Sequence, residues 1–342
     1  MHEAINAPAV TDWMKTNVTG ARAPFSFDVI AAGGSNLTFQ VEDAAGRLFV
    51  LRRPPAKVLL ATAHDVTREH RIMSALAHSD VPVPNVHGLC ADTSVTGAPF
   101  YVMDFVEGRI LRAQADASDM DEAACLTATQ SLIDTQHAFH TIDLEATGLA
   151  DLARHDSYVE RQLSRWYKQY DRGRVRDLPL LEELHARLSA RIPAPSGPPG
   201  LAHGDYRFDN TILGADHQIA AVLDWELCTI GDPLADFSWS MMYWNDPGDT
   251  DTFLESPPTL HPAFIRRDEM INLYAETADR DVSDLPWFTV FCWWKMACII
   301  EGVHARALAG ASGGGHISSV ESIAERVDRT LAAAEQAAMG VV

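Results

Sequence analysis

Three residues in one short stretch could together move a phosphoryl group. Asp205 is followed after five residues by Asn210, and Asn210 after fourteen by Asp224. Short apolar runs at 210–213 and 219–223 flank a polar turn at 214–217. That pattern predicts a β-hairpin with Asp205, Asn210 and Asp224 gathered at one end. A carboxylate there can accept a hydroxyl proton. An amide oxygen and a second carboxylate suit Mg²⁺, which takes oxygen ligands. Positioning and charge neutralisation do most of the work in phosphoryl transfer.

The wording around these residues is specific. His203-Gly204-Asp205, then Asn210, then Leu223-Asp224-Trp225-Glu226 resembles the aminoglycoside phosphotransferase-like kinases (the APH/choline kinase type). It is most similar to the branch associated with acyl-CoA dehydrogenases. The resemblance implies an α+β, bilobal protein-kinase-like fold. Residues 1–106 would be a small antiparallel-sheet N-lobe with one main helix, binding nucleotide, with the hinge at its end. Residues 107–342 would be a larger, mostly helical C-lobe for catalysis and substrate. It also implies ATP and Mg²⁺, with Asp205 as base and Asn210 and Asp224 as metal ligands. Arg207 would stabilise charge on the transferring phosphoryl group. Glu226 would help hold the metal loop, His203 would fix the loop backbone, and Asp236 would buttress it.

The preceding chain must place a nucleotide against this stretch. Strands are expected at 25–30, 37–42 and 48–52, with a small-residue turn, Gly33-Gly34-Ser35-Asn36, between the first two. Glycines there would let backbone N–H groups approach phosphates. Arg52 stands on the third strand where the resemblance implies a lysine; its fork can pair both a carboxylate and a phosphate. Lys57 lies beyond Pro54-Pro55 and is a poorer candidate. A helix over 63–78 carries Glu69, the expected partner of Arg52. Strands follow at 86–90 and 100–106, and backbone groups of Met103, Asp104, Phe105 and Val106 would meet adenine. Gly108 marks the break into the larger lobe.

Helices are expected at 121–142, 157–172, 178–191, 261–279, 286–308 and 317–338. His137 and His140 share the first of these without a third ligand in view, so packed histidines are expected rather than a metal site. The helix over 157–172 has Leu163, Trp166, Tyr167 and Tyr170 on one face and Arg161, Arg165, Lys168 and Arg172 on the other. Arg174 and Arg176 extend the positive charge. This stripe reads either as a solvated face or as a site for an anionic substrate. The run at 286–302 is strongly apolar but carries Lys295 and Glu301, which favours a buried helix over a membrane span.

Composition narrows the function. The net charge of −20 disfavours non-specific nucleic-acid binding, which needs a basic footprint. Five cysteines without a C-x-x-C pair, and a first segment without a signal pattern, point to reduced thiols in a cytoplasmic protein with no membrane partner. The leading expectation is an ATP- and Mg-dependent kinase acting on the hydroxyl of a small molecule. A hydroxyacyl-CoA, with a functional link to an acyl-CoA dehydrogenase, is the acceptor that the resemblance and the basic stripe favour. An aminoglycoside-type antibiotic kinase is the second expectation, since that stripe would repel a polycation. A nucleotide-binding pseudokinase is motivated by Arg52. A metal-dependent phosphoesterase is suggested by Gly204-Asp205 and Asp209-Asn210, but its D-x-H and G-N-H-D elements do not appear. A protein kinase is disfavoured because Asp224 and Asp232 leave no room for a peptide-docking segment.

Overall fold

A computed structural model describes residues 5–32, 36–54, 65–152, 157–249, 252–310 and 319–342. The chain opens with α1 (Ala7–Asn17) and three strands, β1 (Ser26–Ala32), β2 (Leu37–Glu42) and β3 (Leu48–Arg53). Helix α2 (Val66–Leu76) follows, then β4 (Val86–Cys90) and β5 (Phe100–Asp104). The five strands form one antiparallel sheet in the order β1-β2-β3-β5-β4. Strand alternation sorts their side chains between two faces. Phe49 and Leu51 join Phe39, Val41, Phe100 and Val102 in a small core under α1. Val50, Tyr101 and Met103 belong to the core that includes Ile72, Met73 and Leu76 of α2. That core runs on without a break into the second half of the molecule. The same alternation separates Arg52 from Arg53, which turns away to Thr96.

The remaining chain is mostly helical: α3 (Glu122–His140), α4 (Tyr158–Arg172), α5 (Pro179–Ala190), α6 (Pro233–Met241), α7 (Arg267–Ala278), α8 (Leu285–Leu308) and α9 (Val320–Ala338). Between α5 and α6 lie four short strands, β6 (Gly200–Ala202), β7 (Thr211–Leu213), β8 (Ile219–Val222) and β9 (Thr229–Gly231). They pair antiparallel, β6 with β9 and β7 with β8. The second pair is the expected hairpin. Helix α8 is apolar nearly all round and packs against α4, α5, α6 and α9, as a buried helix must. Among the described residues no helix is long and apolar enough to cross a membrane.

Several boundaries differ from the sequence expectation for local reasons. The helix expected from 261 begins at Arg267. A 3₁₀ turn, Pro258–Leu260, precedes it, and the Glu269 side chain accepts from the Arg266 N–H at 2.8 Å, capping the start. The strand expected to 106 ends at Asp104. The pairing of β6 with β9 was not anticipated: three-residue strands carry too little alternation to be read.

Candidate active site

The loop at 203–210 turns on a glycine whose backbone a side chain would strain. Gly204 has φ +85, and a Cβ there would lie 3.1 Å from the Leu227 carbonyl oxygen. Its N–H donates to Asp236 Oδ1 at 2.7 Å. Asp236 is buried, and His140 Nε2 donates to its other oxygen at 3.1 Å. Burial pushes the Asp236 carboxyl up, but His140, His203 and the Gly204 N–H outweigh it and hold it below its ordinary value. His140 is thus a packed partner of a carboxylate, and among the described residues no cluster of His, Cys, Asp and Glu could hold a metal by itself. His203 ties the loop to its neighbours. Its Nε2 donates to the Leu223 carbonyl at 2.9 Å, and its Nδ1 accepts from the Asp205 N–H at 3.2 Å.

This loop and the hairpin bring the sequence candidates together. Asn210 Nδ2 donates to the Asp205 backbone oxygen at 2.7 Å and to Asp205 Oδ2 at 2.9 Å. That fixes the amide so that its own oxygen points away from Asp205. Asp224, just past the hairpin's second strand and at the same end as Asn210, adopts the left-handed conformation, φ +65 and ψ +59, sparsely populated for a non-glycine residue. Asn210 and Asp224 both line a cleft of about 580 Å³. Asp205 and Arg207 lie beyond that lining. Arg207 Nε is 3.4 Å from Asp205 Oδ1 and its Nη1 2.9 Å from Asp209, while its guanidinium sits 4.7 Å from the Tyr243 ring centre. Burial disfavours the Arg207 charge, but Asp205, Tyr243 and Asp209 more than offset it.

The other wall of the cleft comes from the sheet. Arg52 lies between two carboxylates, 3.2 Å from Glu69 and 2.6 Å from Asp224. Burial works against its charge, but Glu69, Tyr101 and Asp224 hold it above the ordinary arginine range. Glu69 is fully buried, and burial pushes it up to about 7 against the pull of Arg52. Asn36 Nδ2 donates to Glu226 at 3.4 Å, linking the turn after β1 to the loop after Asp224. Gly33, Gly34 and Ser35, and also Lys57, lie outside the described residues. Met103, Asp104, Phe105 and Val106 all line the cleft. The Asp104 N–H is already given to Asn85, and its side chain to His87, Asn85 and Arg47.

The basic stripe on α4 is only partly as expected. Arg161, Arg165 and Lys168 line one open depression, and Arg172 does not. None of the four is ion-paired among the described residues. Arg174 and Arg176 do not extend the stripe: Arg174 is paired with Asp177 and Glu182, and Arg176 with Glu301 and Asp328. Three residues that the spacing did not single out surround Asp205. Trp239 Nε1 donates to Asp205 Oδ1 at 3.4 Å. Burial and Asp205 both push the Tyr243 hydroxyl up. Lys295 Nζ lies 4.1 Å from the Trp239 ring centre. The one sequence signal for it was a charge inside an apolar run.

Residues 26–278 match the family described as "Phosphotransferase enzyme family". The chain is 35% identical over 289 residues to acyl-CoA dehydrogenase family member 11 of Gallus gallus, covering 82% of this chain and 36% of that protein. It thus spans about a third of that relative's length. Among solved structures, a protein assigned to the aminoglycoside phosphotransferases from Ralstonia eutropha superposes with a TM-score of 0.82 at 29% identity, covering 98% of each chain. A thermostable mutant of aminoglycoside phosphotransferase APH(4)-Ia, in ternary complex with ADP and hygromycin B, shares the fold. Its TM-score is 0.61 at 13% identity, over 94% of this chain and 97% of that one.

Proposed function

Since the chain belongs to the phosphotransferase enzyme family, we propose that it transfers the γ-phosphoryl group of Mg·ATP to the hydroxyl of a small molecule, with a hydroxyacyl-CoA as acceptor. One observation carries the reading. Asp205 and Asn210 are hydrogen-bonded at 2.9 Å on one loop, and Asn210 lines a cleft of about 580 Å³ together with Asp224 from just past the hairpin's second strand. That is a base at the edge of a nucleotide-sized space.

The residues divide the work. Asp205 accepts the acceptor's hydroxyl proton as its oxygen bonds to the γ-phosphorus and the bond to the β–γ bridging oxygen breaks, releasing ADP. Arg207 keeps a positive charge beside that carboxylate. Arg52, steadied by Glu69, faces the phosphates. Groups at 103–106, where the two lobes meet, take the base, and Gly33, Gly34, Ser35 and Asn36 cover the phosphates. The donor set fits Mg²⁺: Asn210 presents an oxygen because its nitrogen is held by Asp205, and Asp224 adds a carboxylate, a pair that phosphate oxygens and water would complete. When bound there, the ion would neutralise phosphate charge.

Support for a CoA acceptor comes from Arg161, Arg165 and Lys168, cations without an ion-pair partner among the described residues, lining one depression in a chain of net charge −20. Arginine forks suit the phosphates of CoA, and a polycationic antibiotic would be repelled. The test is ATP consumption with 3-hydroxybutanoyl-CoA against free 3-hydroxybutanoate. The thioester should be strongly preferred. Equal use of both would remove CoA from the reading, and ADP formation with neither, nor with a panel of other alcohols, would remove the kinase.

A further inference from the structure

We propose that Arg165 and Lys295 form a subsite for an acyl oxygen of the acceptor, a carboxylate or thioester carbonyl, next to the hydroxyl served by Asp205. This rests on the reading that Asp205 faces the acceptor, and adds to it the group by which the acceptor is recognised.

Lys295 projects from α8 and is 9% exposed. Among the described residues no carboxylate pairs with it and no group accepts a hydrogen bond from it. Its ammonium is held by rings alone, 4.1 Å from the centre of Trp239 and 6.0 Å from that of Trp166. Arg165, from α4, lies 5.2 Å from the same Trp166 ring. Two cations from different helices therefore contact one indole, and among the described residues neither is ion-paired. The charged and titratable groups around Lys295 are Cys292 on its own helix, Asp236 on α6, Arg165 on α4 and Asp205 on the catalytic loop. Burial and Arg165 oppose its charge.

Such an arrangement is costly unless something completes it. Most of the Lys295 side chain is out of water while its ammonium stays open to an incoming group, and a cation–π contact contributes only about 0.5–2 kcal/mol. An oxygen at Lys295 would accept from its ammonium and, with Arg165 on the same Trp166 ring, gain a second cation nearby. On the same helix, Arg161 Nη1 is enclosed without a hydrogen-bond partner and lines the depression with Arg165 and Lys168. The site lies one side chain from the chemistry, because Trp239 joins Lys295 to Asp205. Its form selects the ligand. A single ammonium between indole faces suits a planar acyl group lying against the rings. A tetrahedral phosphate needs more donors than one ammonium supplies.

The experiment measures binding by calorimetry and steady-state kinetics with three probes. They are 3-hydroxybutanoyl-CoA, free 3-hydroxybutanoate, and S-(3-hydroxybutyl)-CoA, a thioether with the same hydroxyl and no acyl oxygen. The wild type should bind the thioester about tenfold or more tighter than the thioether, the worth of a hydrogen bond to a charged group. Lys295→Met should erase that difference while leaving ADP binding unchanged, and Lys295→Arg should restore part of it. The loss should appear in KM more than in kcat. Arg165→Gln, on the exposed side, should weaken the preference in the same direction and answers the case in which Lys295→Met does not fold. If only the free acid binds and shows the same dependence, the subsite stands as a carboxylate site and the CoA reading fails. A thioester preference that survives both substitutions, a wild type blind to the acyl oxygen, or no binding of any acyl probe would overturn the proposal.

Discussion

Charge is handled in opposite ways on the two sides of Asp205. Along the cleft, among the described residues, each lining arginine is met by a carboxylate: Arg52 by Glu69 and Asp224, Arg112 by Asp209. Toward α4 and α8, Arg165 and Lys295 are met by tryptophan rings, and Lys168 by no carboxylate among the described residues. Internal pairing fixes a side chain in one place before any ligand arrives. An unpaired cation keeps its electrostatic attraction for something that comes from outside. The first arrangement suits a part that must always be assembled, and the second a part that must discriminate.

The largest effect should come from the group between the two sides. Asp205→Ala should lower turnover by roughly 10²–10⁴-fold, the usual range for an acid–base group, with ADP affinity nearly unchanged in equilibrium binding. Unaltered turnover would take Asp205 out of the chemistry and dissolve the comparison. Next is Arg52→Ala, which leaves Glu69 buried without its partner. Glu69, already pushed up to about 7 by burial, then turns neutral rather than staying charged, and the lost partner costs about 1–3 kcal/mol, to be read as a lower urea midpoint together with weaker ADP binding. Arg52→Lys should recover part of both because the charge remains. A variant as stable as the wild type would show that the pairing is not structural.

A smaller effect is expected at the buttress. The Asp236 carboxyl is held below its ordinary value of 3.8 in the folded protein. A lowered value contributes stability that is present above the unfolded value and lost as pH falls through the folded one. Asp236→Asn should therefore be destabilised at pH 7 and show a flatter acid limb below about pH 4 in unfolding midpoints. Two parallel acid limbs would exclude Asp236 as a source of that stability. The smallest effect is Arg165→Glu. It should raise the KM for 3-hydroxybutanoyl-CoA, more strongly at low salt because screening is weaker there, and leave the unfolding midpoint within about 0.5 kcal/mol, as surface changes usually do. A large loss of stability would move Arg165 to the paired side of the comparison.

What the sequence determined by itself is local. Asp205 and Asn210 meet because five residues separate them on one loop. Gly204 is a glycine because that loop needs a positive φ, and β3 turns Arg52 and Arg53 to opposite faces because strands alternate. The fold class followed from the family resemblance carried by His203-Gly204-Asp205, Asn210 and Asp224-Trp225-Glu226. Tertiary packing decided which charges are compensated. Asp224 reaches Arg52 across 172 positions, and Glu301 reaches Arg176 across 125. On the printed chain Arg176 therefore looked like part of the α4 stripe, although two carboxylates neutralise it. Lys295 looked like an interruption of an apolar helix until α4, α6 and α8 closed around it. The physical reason is range: steric limits and hydrogen bonds between neighbours are written in adjacent residues. Whether a charge is satisfied depends on what lies within a few ångströms, and only the packing of distant helices supplies that.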